Sequence, residues 1–185
     1  VEALSFMPSD AFSSACQTLV GHKMGERSPR GIELVVRQAL MVSLTVMSTM
    51  GLLFLFIPGY LARIFTNDPT IASIAAICLM IGAIEQPFMG FCHIIKGTFQ
   101  GTGDTKTPIY LGAAGVWVPR LILSYLLALH FKMGLTGIWI ATTADWIVRA
   151  ILYFIVYRRR QAHFYRTLGV KQDITTPSTG LVQSS

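Results

Sequence analysis

Long windows almost empty of charge decide what this chain can fold into. Between Arg37 and Arg63 there is no charged residue; between Asp68 and Lys96 there is only Glu85. Between Lys106 and Lys132 there is only Arg120, and between Lys132 and Arg158 only Asp145 and Arg149. The opening stretch from Ala3 to His22 holds Asp10 alone. Roughly 20 mostly apolar residues suffice for a helix to cross about 30 Å of hydrocarbon, and each window has that length. An ionisable group at such depth costs about 2.5–3.5 kcal/mol on insertion scales, so it is paired or functional. The pattern predicts a polytopic all-α bundle of five transmembrane helices with a polar interior.

Composition agrees, with 52% hydrophobic residues, 13% charged and a mean hydropathy of +0.55. The net charge of +6 does not indicate nucleic acid, because the basic residues gather at alternate loops. Lys23, Arg27, Arg30 and Arg37 surround one loop, Lys96 and Lys106 flank another, and Arg158, Arg159, Arg160, Arg166 and Lys171 follow the last span. The loops between carry only Arg63 and Lys132. Positive residues concentrate on the cytoplasmic side. The loops at 23–37 and 96–107 and the C-terminus are therefore expected inside, in a multi-pass plasma-membrane protein surrounded by lipid bilayer.

The chain starts at Val1, at the head of a span, with no charged n-region or small-residue cleavage site. This reads as the rear part of a longer chain. Cys16, Cys78 and Cys92 all fall within apolar spans. Their odd number and wide spacing give neither a disulfide framework nor a metal signature, so they read as small packing residues.

Three helix starts share a capping residue followed by proline: Ser28-Pro29, Asp68-Pro69 and Thr107-Pro108. The cap side chain satisfies a free N–H, and proline takes the first helical position, where its missing N–H costs nothing. Helices are expected at 3–24, 29–57, 69–99, 107–131 and 134–160, forming one membrane unit over 1–160. Residues 161–185 turn from basic to polar and are expected to be a mobile cytoplasmic tail. Small residues at Gly82-Ala83, Gly112–Gly115 and Ala141–Ala144 mark expected helix contacts.

Mid-membrane there are three acids, Asp10, Glu85 and Asp145, against two bases, Arg120 and Arg149. Asp145 and Arg149 are four apart with the acid first, the favourable order for a pair on one helix, and with Arg120 they are assigned to a structural ion network. One carboxylate then remains to exchange a proton, Na⁺ or a cationic substrate. Glu85 is the first choice. Gln86 follows it, and Pro87 withholds a hydrogen bond from the Ala83 carbonyl, which predicts a kink beside the acid. Open backbone at membrane depth is used by transporters to build sites. Asp10, two residues after Pro8, has a similar setting, and Pro119 predicts a kink before Arg120. Phe88, Met80, Met89 and Phe91 read as core packing first and as an adaptable apolar wall second.

The run Gln86-Pro87-Phe88-Met89, followed by Gly97-Thr98-Phe99-Gln100-Gly101-Thr102-Gly103-Asp104-Thr105-Lys106 and Pro108, resembles the tenth helix and following loop of MATE (multidrug and toxic compound extrusion) transporters. Gly115-Val116-Trp117-Val118-Pro119-Arg120 is similar to the family's eleventh helix, and Gly134-Leu135, Gly137-Ile138-Trp139, Asp145 and Arg149 to its twelfth. Met7-Pro8 and Val20-Gly21-His22 with Gly25 are similar to its eighth helix and next loop. Gln100 departs from the arginine frequent there, and His22 from a frequent glutamine.

The resemblance implies a transporter of two six-helix lobes around a central cavity, exchanging H⁺ or Na⁺ for organic cations or other small drugs. This chain would supply helices eight to twelve, with the N-terminal lobe in the same or another chain. No cofactor is implied beyond the coupling ion. Gly97, Gly101, Gly103, Asp104 and Thr105 are given a structural role, the glycines forming a tight turn and the acid and threonine capping the next helix. The spacing fits no nucleotide-binding fingerprint. A transport-inactive assembly half-protein and a lipid-linked sugar flippase of the same superfamily stand as alternatives. An intramembrane enzyme is disfavoured, because no nucleophile or metal cluster accompanies the acids. In the expected mechanism Glu85, helped by Gln86 and Asp10, binds a proton and a cationic substrate in alternation.

Overall fold

The computed structural model describes residues 3–66, 68–115, 120–130 and 134–167. Every regular element in it is helical: α1 (Ala3–Gly25), α2 (Pro29–Phe56), α3 (Pro58–Phe65), α4 (Pro69–Gly101), α5 (Lys106–Gly115), α6 (Leu121–Tyr125) running into a π-helical turn (Leu126–His130), and α7 (Gly134–Thr167). The long central helix α4 packs against α1, α2, α3, α5 and α7, and the bundle is organised around it.

Two of the expected caps form. The Ser28 hydroxyl accepts from the Gly31 N–H at 3.2 Å, and the Asp68 carboxylate accepts from Thr70 and Ile71 at 2.8 and 3.4 Å, each with proline opening the helix. The third start differs. Thr107 lies inside α5, and Asp104 accepts both its N–H at 3.1 Å and its hydroxyl at 2.7 Å. Asp104, two residues before α5, thus satisfies two Thr107 donors at once.

Two boundaries depart from expectation, and two other expectations meet residues outside those described. The segment after Phe56 is not a plain loop, because Pro58 opens the short helix α3. The span expected at 107–131 is described in pieces, α5, α6 and the π turn, and Pro119 and its expected kink lie outside the described residues. α7 runs seven residues beyond the expected end at 160, to Thr167. The proposed mobility of the final residues concerns positions outside those described. Among the described residues three helices are long and apolar enough to cross a membrane: α2, α4, and α7 from Gly134 to Arg160. α1 is long enough at 23 residues but presents a polar face, with Asp10, Ser14, Gln17 and Thr18 all exposed.

The core joins Cys16 and Val20 of α1, Val36 and Met47 of α2, Met89, Ile94, Ile95 and Phe99 of α4, and Trp146 and Tyr153 of α7. Large apolar side chains also cover the outside, among them Phe56, Ile71, Ile84, Ile109 and Ile151. In water such a surface would drive association; against lipid tails it is what a spanning bundle needs.

Close helix approach depends on glycine. A Cβ on Gly97 would lie 2.4 Å from the Ser13 carbonyl oxygen, and one on Gly101 2.6 Å from that of Gln17. Gly97 and Gly101 therefore belong to the α1–α4 contact and not to the turn. They stand four apart, so both fall on one face of α4 where backbones can meet. The turn rests on Gly103 alone, whose φ of +84° is left-handed. The Asp104 N–H bonds the Phe99 carbonyl and the Gly103 N–H that of Gln100, which closes α4 in a Schellman motif. Of the expected small-residue contacts, Gly82 holds, with Trp139 2.8 Å from where its Cβ would be, whereas Gly112 faces open space.

Candidate functional site

The polar interior is built in layers along α4. Glu85 and Gln86 are fully buried, with 0% of either residue accessible. Pro87 interrupts the backbone ladder one residue later, at the Ala83 carbonyl. That carbonyl turns toward α2, where a Cβ on Gly51 would come within 2.7 Å of it. Glycine at 51 thus leaves room for the oxygen that proline deprives of its donor. The Gln86 amide nitrogen donates to the Gly82 carbonyl at 3.3 Å. Its Oε1 has no hydrogen-bond partner among the described residues.

From the other side α7 presents Trp139 and Thr143, one turn apart. The Thr143 hydroxyl donates to Glu85 Oε2 at 3.5 Å, a long contact against the usual 2.5–3.0 Å for two oxygens. Trp139 leans into the notch over Gly82, whose absent Cβ would lie 3.9 Å from Glu85 Oε1. The carboxyl is therefore enclosed by the Trp139 ring, the Thr143 hydroxyl and the proline-bearing turn of α4. No group of three or more metal-ligating side chains forms among the described residues.

A second layer lies two turns along α4. His93 is buried, its Nδ1 2.9 Å from the Met89 carbonyl oxygen and its Nε2 3.4 Å from Asp10 Oδ1. Its ring packs beside Phe6 and Trp146, with centroids 6.3 and 5.7 Å away. Sequence reasoning missed His93, which counts neither as a fixed charge nor as an apolar residue. The available signal was its spacing of eight from Glu85, which puts both on one face with Met89 between them. Asp10 meets His93, and its side chain remains 60% exposed.

Asp145 is fully buried and accepts from Arg149, as the spacing of four predicts. The Arg149 guanidinium lies over the Trp146 ring at 4.6 Å, a favourable cation–π position. Arg120 stands exposed, and no contact joins it to this pair among the described residues. Of the expected three-residue network, the described residues show the Asp145–Arg149 pair. Pro8 sits inside α1, which continues through it. Met89 is wholly buried in the core, Phe88 and Phe91 pack against that core, and Met80 is exposed.

Beyond the far end of α4, Arg160 of α7 donates to Asp104. Partial burial pushes the Asp104 carboxyl up, but hydrogen bonds from Thr107, the Arg160 charge and the Lys106 N–H outweigh it and hold it below its usual range. Thr107, not Thr105, shares this cap.

Residues 1–126 match the family model MatE. The chain belongs to the MATE family. A probable multidrug resistance protein NorM of Thermotoga maritima is 34% identical over 157 residues, 85% of this chain and 34% of its own length. A probable NorM of Brucella suis is 31% identical over 88% of this chain and 36% of its own length. This MATE chain thus spans about a third of the length of the curated relatives it matches. Among solved structures it superposes on a MATE transporter in the bent conformation with a TM-score of 0.84, at 20% identity, over 90% of this chain and 37% of that one. An outward-facing multidrug resistance MATE transporter gives 0.80 at 22% identity, over 89% and 37%. These likenesses bear out the all-helical membrane fold.

Proposed function

We propose that this chain forms part of a cation-coupled efflux antiporter that exchanges H⁺ or Na⁺ for organic cations or other drugs by alternating access. It works with the remaining lobe that the family resemblance implies, in the plasma membrane and with its C-terminus in the cytoplasm. The observation that carries the reading is the fully buried Glu85 carboxyl, set beside a proline break in a chain of the MATE family. A charged carboxylate in low dielectric is expensive, so the group stays neutral or holds a cation. Binding a proton at Glu85 removes the charge that would retain a cationic substrate, and the two exchange. Gln86 adds an oxygen beside it on the same buried turn. The NorM relatives are probable multidrug resistance proteins, which supports drugs as the substrate class. Glu85→Gln in the complete transporter is expected to abolish pH-dependent drug efflux from cells while leaving the protein in the membrane. Efflux with unchanged rate and pH dependence would overturn the assignment.

A further inference from the structure

The second polar layer carries its own chemistry. His93 Nδ1 lies 2.9 Å from the Met89 carbonyl oxygen. A carbonyl only accepts, so Nδ1 bears the hydrogen. In a neutral imidazole Nε2 is then a bare lone pair, and it stands 3.4 Å from Asp10 Oδ1, another acceptor. Two acceptors at that separation repel unless one proton lies between them. With the proton present, either as imidazolium facing carboxylate or as carboxylic acid facing imidazole, the contact becomes attractive and needs only a few tenths of an ångström to reach hydrogen-bond length.

The geometry points to the Asp10–His93 pair as a one-proton binding site, separate from Glu85, that ties α1 to α4 when loaded. This rests on the antiport reading for its place in a transport cycle, but not for its proton chemistry.

Access and surroundings fit. Asp10 is 60% exposed in its side chain, and it continues into Ser14, Gln17 and Thr18 on the exposed face of α1. A carboxylate and three polar side chains so placed are costly against hydrocarbon, so this face turns to the bundle interior or a water-filled cavity and not to lipid, where a proton can reach the pair. The charges bearing on His93 are Asp10 from α1, Lys96 on α4 itself and Arg149 from α7. Arg149 opposes a second cation, but its charge is offset by Asp145, and the Trp146 ring packs against both the guanidinium and the imidazole. From α2 the layer receives the hydroxyl of Ser43, which donates to the Gly90 carbonyl at 3.4 Å. The mechanical link is direct. The Ser13 hydroxyl donates to the His93 carbonyl at 2.8 Å one turn beyond Asp10, so α1 already holds this turn of α4 by its backbone. Proton loading adds a side-chain tie on the same turn.

The test is nitrogen NMR of imidazoles in the complete transporter in nanodiscs, from pH 5 to 9, with His93→Gln assigning the His93 signal. The expected result is a one-proton titration at Nε2 with Nδ1 protonated throughout. Asp10→Asn should weaken proton binding at His93 about tenfold, since it removes the opposite charge, and Asp10→Glu should restore it. Glu85→Gln should leave this titration in place even where it abolishes efflux, so failure of the Glu85 assignment and failure of the pair are read separately. A His93 signal that stays neutral throughout, or one that titrates identically in wild type and Asp10→Asn, would overturn the pair. If Asp10→Asn does not fold, Asp10→Ser takes its place and is read in the same way.

Discussion

Gly97→Ala adds one methyl group where α1 and α4 touch. Its Cβ would lie 2.4 Å from the Ser13 carbonyl oxygen, whereas ordinary contact begins near 3.4 Å. Both partners are main chain, so no rotamer change relieves the overlap and the helices must part by about 1 Å. The hydrogen bond from the Ser13 hydroxyl to the His93 carbonyl, 2.8 Å long, then stretches beyond useful length, at a cost of about 1 kcal/mol. Overpacking of a close contact adds about 1–3 kcal/mol, for a total of about 2–4 kcal/mol. Thermal unfolding of the purified transporter in detergent should therefore show a clear loss of stability. Gly112→Ala is the control, because its Cβ meets open space on a helix, where alanine is favoured over glycine by about 1 kcal/mol. If Gly97→Ala melts with wild type, or Gly112→Ala falls as far, the α1–α4 contact is not as described.

Other outcomes follow from the same structure. Arg149→Met should cost about 3–5 kcal/mol by leaving the buried Asp145 uncompensated, with partial recovery in the Asp145→Asn/Arg149→Gln double variant; thermal unfolding measures both. Asp104 is held below its usual range, so the stabilisation it gives to the Arg160 contact is present above the unfolded carboxylate value, about 3.9, and disappears as pH falls through the lower folded one. Hydrogen exchange of α7 near Arg160 should accelerate only at strongly acid pH, and Asp104→Asn should remove that dependence. Cys16, Cys78 and Cys92 are buried, so maleimide should label them only after denaturation; rapid labelling of the native protein would contradict the packing.

The legible features are the ones set by local chemistry. Ser28-Pro29 and Asp68-Pro69 could be read as caps because a cap needs only its own next turn, and Asp145 with Arg149 because helical spacing makes them neighbours. Glu85 could be placed in the interior because a lone charge within a long apolar stretch has to be buried among other helices. Gly97, Gly101 and Gly103 look alike in sequence, yet only Gly103 turns the chain. The other two are assigned by what α1 brings against them, which no local pattern contains. Gly51 was invisible for the same reason, since its neighbour is a carbonyl freed by Pro87 on another helix. Arg120 was paired by charge arithmetic, which says how many partners exist but not which face of its helix the residue occupies. Thr143 and Trp139 needed the register between α7 and α4 before they could be joined to Glu85.

Counterflow across a sealed bilayer tests the central claim most directly. The complete transporter, reconstituted in proteoliposomes, is given an outward gradient of a fluorescent organic cation, and uptake of H⁺ or Na⁺ is followed. The account predicts that cation loss drives ion uptake in wild type and that Glu85→Gln stops both together. Equal cation loss in the two proteins, or loss with no ion entering, would contradict it.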